Sequence, residues 1–333
     1  MANATVFINK HSGRVSALDL KALREEIDGL LKARGVEANF VVEDCTSLIE
    51  AVDQCRPDTD YYIVIGGDGT IAALRDAFNE HSILVFRDQD ISDDAQIAFS
   101  ERFGPLEQML IGSQGAGTPI AILSNVDPAT DRIIPPDDKR MVRNICNEMW
   151  HTDSPFLEEP PSITTLRQVE GPPYGGDTTW TNTALAFRHL SKVYQDMLRP
   201  LKVWMSARNN FATQNLLREG GAIQFGDPEK HEQGIRGTVH PLIRTHPHTG
   251  EPSLYICDTY AAGIDGMTTH EAKPLIDFLV QHPTQHAFTC RLRWEPGMVC
   301  MWDNAATMHL GPNDYDGFRR EMYRTTIAGG VPV

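Results

Sequence analysis

In the stretch WHTDSPF, His151 and Asp153 stand two residues apart, so on an extended chain they point to one face. An imidazole and a carboxylate on one face can grip a metal ion, and the same pair can equally be a hydrogen-bonded surface pair. Further along, MWDNAATMHLGPNDYDGFRREMYRTTIAGG carries His309, then Arg320 eleven residues later, then Arg324. His151, Asp153 and His309 together make two imidazoles and one carboxylate, the facial set that leaves three positions open on non-haem Fe(II). A 2-oxo acid can chelate two of those positions and O2 can take the third. The far carboxylate of such an acid suits a guanidinium, a role Arg320 can fill. If REMYRTTIA is a strand, Arg320, Met322 and Arg324 share a face. Were that face turned into a barrel, each cation would need an anion; no acidic residue alternates with the arginines, and bound ligands could supply the charge. On a solvent-facing strand they would simply be hydrated.

A second candidate is YYIVIGGDGT, residues 61–70, which reads as a buried strand running into a glycine turn. Backbone N–H groups in such a turn can cradle phosphate, and glycine permits close approach. Gly66, Gly67, Asp68, Gly69 and Thr70 would form that loop. THPHTG, with His246 and His248, could be a metal pair by spacing.

These groups must be held by two kinds of sequence. Residues 1–72 alternate strand and helix patterns: ATVFINK, the amphipathic LDLKALREEIDGLLKARG with leucines at 18, 20, 23, 30 and 31, then ANFVVED, SLIEAVDQC and YYIVIGG. That is β-α-β-α-β, the order of a small open parallel sheet. After about residue 83 the pattern changes to SILVFRDQ and the capped helix SDDAQIAFSERFG, and beyond residue 150 to many short strands broken by Pro and Gly. PSITTLRQV, GDTTWTNT, PLIRTHP, SLYICDT, AFTCRLRW, MVCMWDN and MYRTTIAGG read as strands, with NTALAFRHLSKVYQDML and THEAKPLIDFLVQH as helices. Many short strands with few helices suggest a β-sandwich or jelly roll. Residues 125–146 and 207–235 show no periodicity and read as lids or loops.

With those motifs in order, residues from about 73 to 333 resemble the taurine/2,4-dichlorophenoxyacetate family of Fe(II)- and 2-oxoglutarate-dependent dioxygenases. The resemblance runs through ALRDAFNEHSILVFRDQDIS, QIAFSERFGPLE, NEMWHTDSPF, GGDTTWTN, HPLIRTHPHTGEPSLY, WDNAATMHLGPNDY and RREMYRTTIAGG, nearly four-fifths of the chain. It implies a mixed fold, a double-stranded β-helix (jelly roll) core with helices, preceded by the small α/β lobe. It implies that His151, Asp153 and His309 hold Fe(II), that Thr178 and Arg320 bind the 2-oxoglutarate carboxylate, and that Trp302 stands beside that co-substrate; as a residue, Trp302 reads equally as core. It places Arg324 on an anionic group of the primary substrate and Asn147 in the substrate pocket. At THPHTG it implies a turn between strands instead of a metal pair. Hydroxylation would break the substrate at a carbon bearing a heteroatom, with release of succinate and CO2. The expected substrate is a small anion such as an alkylsulfonate, alkyl sulfate or aryloxyalkanoate. Relatives of this kind are often dimers or tetramers, so a homo-oligomer is an option.

Residues 1–72 are similar to the opening of the diacylglycerol-kinase catalytic domain, with FINKHSG near its start, Lys10 where proline is usual, and GGDGT as its nucleotide-loop signature. Asn9, Ser12 and the 66–70 loop would be the contacts. Such a kinase needs far more chain after GGDGT, so this portion reads as a truncated lobe of residues 1–72 ahead of a dioxygenase domain of 73–333. The same motifs are also compatible with a lipid- or NAD-kinase-like nucleotide binder, or with a catalytically dead jelly roll that only binds.

Composition bounds the rest. With 333 residues the chain has ample core for one large or two smaller domains. A net charge of −15 with no basic block argues against nucleic acid or an anionic membrane as partner. Apolar runs are short of a membrane span, and MANATVFINK lacks the pattern of a signal peptide. Six cysteines without CxxC spacing fit a reduced, cytoplasmic protein.

Overall fold

A computed structural model describes residues 2–9, 19–33, 36–43, 61–65, 68–107, 118–136, 138, 141, 147–208 and 228–333. The chain divides into two compact units between His81 and Ser82.

In the first unit β1 (Ala2–Asn9), α1 (Leu20–Lys32), β2 (Val36–Glu43), β3 (Tyr61–Ile65) and α2 (Asp68–His81) follow one another. Asp19 caps α1 by accepting from the backbone N–H of Lys21 and Ala22. Leu20, Leu23, Ile27 and Leu31, spaced at helical intervals, pack on Ala38 and Phe40 of β2. Both β2 and β3 pair with β1 in parallel, giving the order β2-β1-β3. The expected helix SLIEAVDQC lies outside the described residues, as do Gly66, Gly67 and Ser12. Asp68, Gly69 and Thr70 belong to the first turn of α2 rather than to an open loop, which corrects the extent of the expected glycine turn.

The second unit opens with β4 (Ile83–Phe86) and α3 (Asp93–Glu101), capped by Ser92. There follow β5 (Ala121–Ser124), the hairpin β6 (Val126–Asp127) and β7 (Arg132–Ile133), β8 (Ile163–Glu170) and β9 (Thr178–Asn182). Next come α4 (Thr183–Arg188), α5 (Lys192–Leu198), β10 (Lys202–Met205), α6 (Pro228–Arg236) and β11 (Thr238–Pro241). The unit closes with β12 (Ile243–Thr245), β13 (Pro252–Leu254), β14 (Ala261–Ile264), α7 (Thr269–Gln281), β15 (Thr289–Leu292), β16 (Val299–Asp303), β17 (Thr307–Leu310) and β18 (Glu321–Ile327).

Three expectations need correction. The run NTALAFRHLSKVYQDML is two helices, because Asn182 and Ser191 each cap a new start by accepting from Leu185 N and Tyr194 N. In SLYICDT only the first two residues are in a strand, which ends at Leu254. The loops 125–146 and 207–235 contain the β6–β7 hairpin and α6 respectively.

The site-bearing framework is a pair of antiparallel sheets, ordered β4-β16-β8-β18-β5 and β15-β9-β17. Leu166, Cys300, Trp302 and Met322 from the larger sheet and Trp180 from the smaller share one buried core with Trp294 and Met298. Trp180 and Trp302 meet edge to face with centroids 5.6 Å apart. Helix α3 lies on this framework through polar anchors: Gln96 Nε2 donates to Tyr323 O at 2.9 Å, and Ser100 Oγ bonds Thr325 Oγ1 at 2.7 Å. A separate core joins α4, α5 and α7 to β10, β12 and β13.

Candidate active site

His309 lies in β17, and His151 faces it as an isolated antiparallel bridge. The two exchange backbone hydrogen bonds, His151 N to His309 O at 3.0 Å and His309 N to His151 O at 2.7 Å. Their rings consequently sit side by side, with centroids 4.2 Å apart. Residues 151–153 are not a regular strand, yet their side chains alternate as an extended chain demands. Thr152 turns away and donates to Asn304 O, while Asp153 joins His151. One ligand atom from each of His151, Asp153 and His309 lies within 4.8 Å of the others, and all three residues are buried.

The protonation states suit a metal. His151 Nδ1 donates to Met149 O at 2.8 Å, which leaves Nε2 as the lone-pair nitrogen. Burial lowers the pKa of His151 against the pull of Asp153. Burial and the neighbouring His151 bring His309 down to about 3. For Asp153, burial works upward, but Arg324, His309, His151 and the Thr164 hydrogen bond outweigh it and hold the carboxyl at about 2. At neutral pH the set is therefore two neutral imidazoles and a carboxylate, the forms that bind metal. The buried His309 Nδ1 and Arg324 Nε have no hydrogen-bond partner among the described residues. This donor set and its polar surroundings fit a divalent ion with further anionic or neutral ligands.

Arg320, Met322 and Arg324 do share one face, and all three line the cleft that His151 and His309 open into. Their anions differ from the expectation. Arg324 Nη1 lies 3.2 Å from Asp153 Oδ1, so an acidic residue from another segment meets it. Arg320 has no carboxylate at ion-pair distance among the described residues; its Nε and Nη2 donate to Gly176 O at 3.2 and 3.0 Å. Its guanidinium lies 5.4 Å from the centroid of the Tyr315 ring. Burial draws its pKa below the ordinary guanidinium value, against Tyr315, Asp177 and Asp314. A partly buried cation held by a neutral carbonyl and an aromatic side chain, with Asp177 and Asp314 beyond ion-pair distance, has room for a further anion.

That seat is built from backbone. Gly176 has φ +64°, and a Cβ there would come 2.8 Å from Arg320 Nε. Gly176 N donates to Asp314 Oδ1 at 2.7 Å, and Arg291 Nε to Asp177 Oδ2 at 2.6 Å. Asn125 brackets the start of β18: its Oδ1 accepts from Arg320 N at 2.8 Å, its own N donates to Arg320 O at 3.1 Å, and Nδ2 donates to Phe318 O at 2.8 Å.

Thr178 and Asn147 also line the cleft. Trp294 Nε1 donates to Thr178 Oγ1 at 2.9 Å, which turns the hydroxyl proton away from the indole. Trp302 is both core and site wall, 2% exposed, with its ring centroid 4.8 Å from that of His309. Both ring nitrogens of His246 are engaged by protein groups: Nε2 donates to Asp303 Oδ2 at 2.5 Å while Nδ1 accepts from His248 N and Thr249 N. Sequence reasoning missed Tyr315, Trp294, Asn125 and the role of Gly176, and only the NDY and GG stretches within the recognised motifs hinted at two of them.

The taurine catabolism dioxygenase TauD, TfdA family model matches residues 50–326, and the diacylglycerol kinase catalytic domain model matches residues 3–92. The α-ketoglutarate-dependent 2,4-dichlorophenoxyacetate dioxygenase of Cupriavidus pinatubonensis (strain JMP 134 / LMG 1197) is 32% identical over 272 residues, 80% of this chain and 91% of that relative. The α-ketoglutarate-dependent sulfate ester dioxygenase of Pseudomonas putida is 31% identical over 269 residues, covering 79% and 82%. Among solved structures, a taurine dioxygenase from Burkholderia xenovorans aligns with TM-score 0.61 at 32% identity over 79% of this chain and 83% of that one. AAD-2 in complex with Mn(II) and N-oxalylglycine aligns with TM-score 0.68 at 28% identity, over 79% and 89%.

Proposed function

Because the chain belongs to the taurine catabolism dioxygenase TauD, TfdA family, and is thus a 2-oxoglutarate-dependent dioxygenase using Fe(II) and O2, we propose that His151, Asp153 and His309 hold its iron. The observation that carries this is the buried cluster of three ligand atoms within 4.8 Å, opening into the same cleft as Arg320 and Arg324. The bound iron, with 2-oxoglutarate and O2, supplies oxidation of a substrate C–H bond, yielding succinate and CO2.

This chain's residues bind and orient. Arg320, lacking a carboxylate partner among the described residues, takes the far carboxylate of 2-oxoglutarate, and Thr178 donates its freed hydroxyl proton to the same group. Trp302 closes the inner wall beside His309. Leu123, Leu166 and Met322 give the cleft an apolar side that excludes water. Arg324, whose Nε has no partner among the described residues, grips the anionic group of the primary substrate and so sets which carbon faces the iron; Asn147 lines the same pocket. The substrate class is a small alkylsulfonate, alkyl sulfate or aryloxyalkanoate, broken at the carbon bearing the heteroatom.

The test is succinate release with Fe(II) and 2-oxoglutarate across a panel of those three classes, in air and without O2. Substrate- and O2-dependent succinate is expected from at least one class. Succinate from none of them refutes the substrate class, and full turnover by His151→Ala refutes the iron ligands.

The framework of facing antiparallel sheets, which begins with β4, supports a double-stranded β-helix within residues 73–333. The parallel order β2-β1-β3 and the match at 3–92 support a truncated diacylglycerol-kinase-like lobe for residues 1–72, serving structure rather than phosphoryl transfer. Millimolar ATP should leave the thermal midpoint of the full chain unchanged; a rise would restore the nucleotide reading. No helix among the described residues is long and apolar enough to cross a membrane. The proposed setting is cytoplasmic, and a dimer or tetramer is the assembly to look for by light scattering.

A further inference from the structure

Asp153 has two carboxylate oxygens in different surroundings. Oδ1 faces Arg324 Nη1 at 3.2 Å, whereas Oδ2 is taken by Thr164 Oγ1 at 2.5 Å. Thr164 is fully buried in β8, paired with Trp302 of β16 on one side and Thr326 of β18 on the other. A threonine hydroxyl has one proton to give. Here its direction is fixed, because Asn304 Nδ2 donates to the same Oγ1 at 3.0 Å. Reversing the Asn304 amide would turn the hydroxyl toward Asn304 and leave two bare oxygens 2.5 Å apart at Asp153. The donor order is therefore Asn304 to Thr164 to Asp153.

Asn304 is itself immobilised. Its N donates to Ser162 O at 2.9 Å, and its O accepts from Thr152 Oγ1 at 3.1 Å. The turn that carries it is tied down by Asp303, whose Oδ1 accepts from Ala305 N at 2.7 Å and whose Oδ2 accepts from His246 at 2.5 Å. Thr307 Oγ1 adds a bond to Asp303 O at 2.6 Å. Polar side chains that touch no ligand thus converge on the orientation of one carboxylate.

Resting on the assignment of Asp153 as an iron ligand, we propose that Thr164, oriented by Asn304, is a positioning residue that holds Asp153 Oδ2 and, opposite the Arg324 contact on Oδ1, fixes the rotation of the ligating carboxylate. With both oxygens held, the carboxylate cannot rotate away from the position it shares with His151 and His309. Loss of the hydroxyl frees Oδ2 and the side-chain rotation of Asp153.

The experiment titrates the metal-free full-length protein with Co(II), reading affinity by chelator competition and coordination by visible absorption. Thr164→Val should weaken Co(II) binding by about 10- to 100-fold and alter the absorption spectrum. Thr164→Ser should restore both. Asn304→Ala should weaken binding in the wild-type background and add nothing in Thr164→Val, because it acts through the threonine. Wild-type affinity and spectrum in Thr164→Val overturn the proposal, as does an equal cost of Asn304→Ala in both backgrounds. If Thr164→Val does not fold, Thr164→Ser and Asn304→Ala decide: a normal first and a weakened second uphold the proposal, and two normal variants overturn it. A wild-type protein that takes up no Co(II) refutes the iron-ligand assignment itself, and so separates that failure from this one.

Discussion

Replacing Gly176 by alanine probes the seat of Arg320 without touching a charged group. Two costs follow from the geometry. The first is backbone: at φ +64° an alanine adopts a left-handed conformation, which costs about 1–2 kcal/mol. The second is steric: the new Cβ would lie 2.8 Å from Arg320 Nε and 2.9 Å from its Cδ, so the guanidinium must leave Gly176 O. Hydrogen bonds to charged groups contribute about 1.5–3 kcal/mol, so misplacing the arginine should raise the dissociation constant for 2-oxoglutarate by roughly 10- to 100-fold. The control is Gly266→Ala, which has φ +78° and nothing within 4 Å of its Cβ, so it carries the backbone cost alone. Anaerobic calorimetric titration of the Fe(II) protein with 2-oxoglutarate reads the binding, and thermal denaturation reads the backbone. Both variants should lose a few degrees of thermal midpoint, and only Gly176→Ala should lose 2-oxoglutarate affinity. Co(II) binding should be kept in both, since His151, Asp153 and His309 do not rest on either glycine. Equal 2-oxoglutarate affinity in the two variants would refute the claim that Arg320 is set by its contact with Gly176.

Two further outcomes are expected. Arg324→Met should raise KM for the anionic substrate by about 10- to 100-fold, the loss of one charge-assisted bond, with 2-oxoglutarate affinity retained; an unchanged KM would remove Arg324 from substrate recognition. In the metal-free protein the folded state holds His309 neutral down to about 3, against an ordinary imidazole value of 6.5. Between those values the unfolded chain binds a proton that the folded chain does not, so stability should fall as pH drops from about 6.5. Asp153, at about 2 against 3.8, adds a loss of the same sign below pH 4. The thermal midpoint measured against pH should flatten near pH 5 in His309→Gln, and an identical slope in that variant would refute the assignment.

Much of the candidate site was legible because it obeys short-range spacing. Alternation on an extended chain put His151 with Asp153, and Arg320 with Arg324, where the structure has them. What escaped depends on which strands become neighbours. The pairing of Thr164 with Trp302 brings Thr164 beside Asn304, and no local pattern announces a register between residues so far apart in sequence. The Arg324–Asp153 pair escaped for the same reason, since only acidic residues alternating within the strand were in view. Helices were misjudged where periodicity and capping disagree. The apolar period runs through residues 183–198, but Ser191 offers a better cap than continuation. Residues 228–236 lack an apolar period, and Pro228 at the first helical position was the usable cue.

With His151 and His309 as the proposed iron ligands, their reciprocal backbone bonds bear on how metal enters and leaves. The imidazoles are registered by peptide groups, so the ion is spared the ordering of chain that many metal sites demand of it. Uptake then becomes a matter of diffusion down the cleft and shedding of water, and release a matter of ligand exchange, with no need for the surrounding sheet to unzip. Metal exchange and global unfolding should accordingly run on separate clocks: chelators strip the site at a rate indifferent to mild denaturant, and the amides of residues 151 and 309 stay slow to exchange hydrogen after the metal has gone.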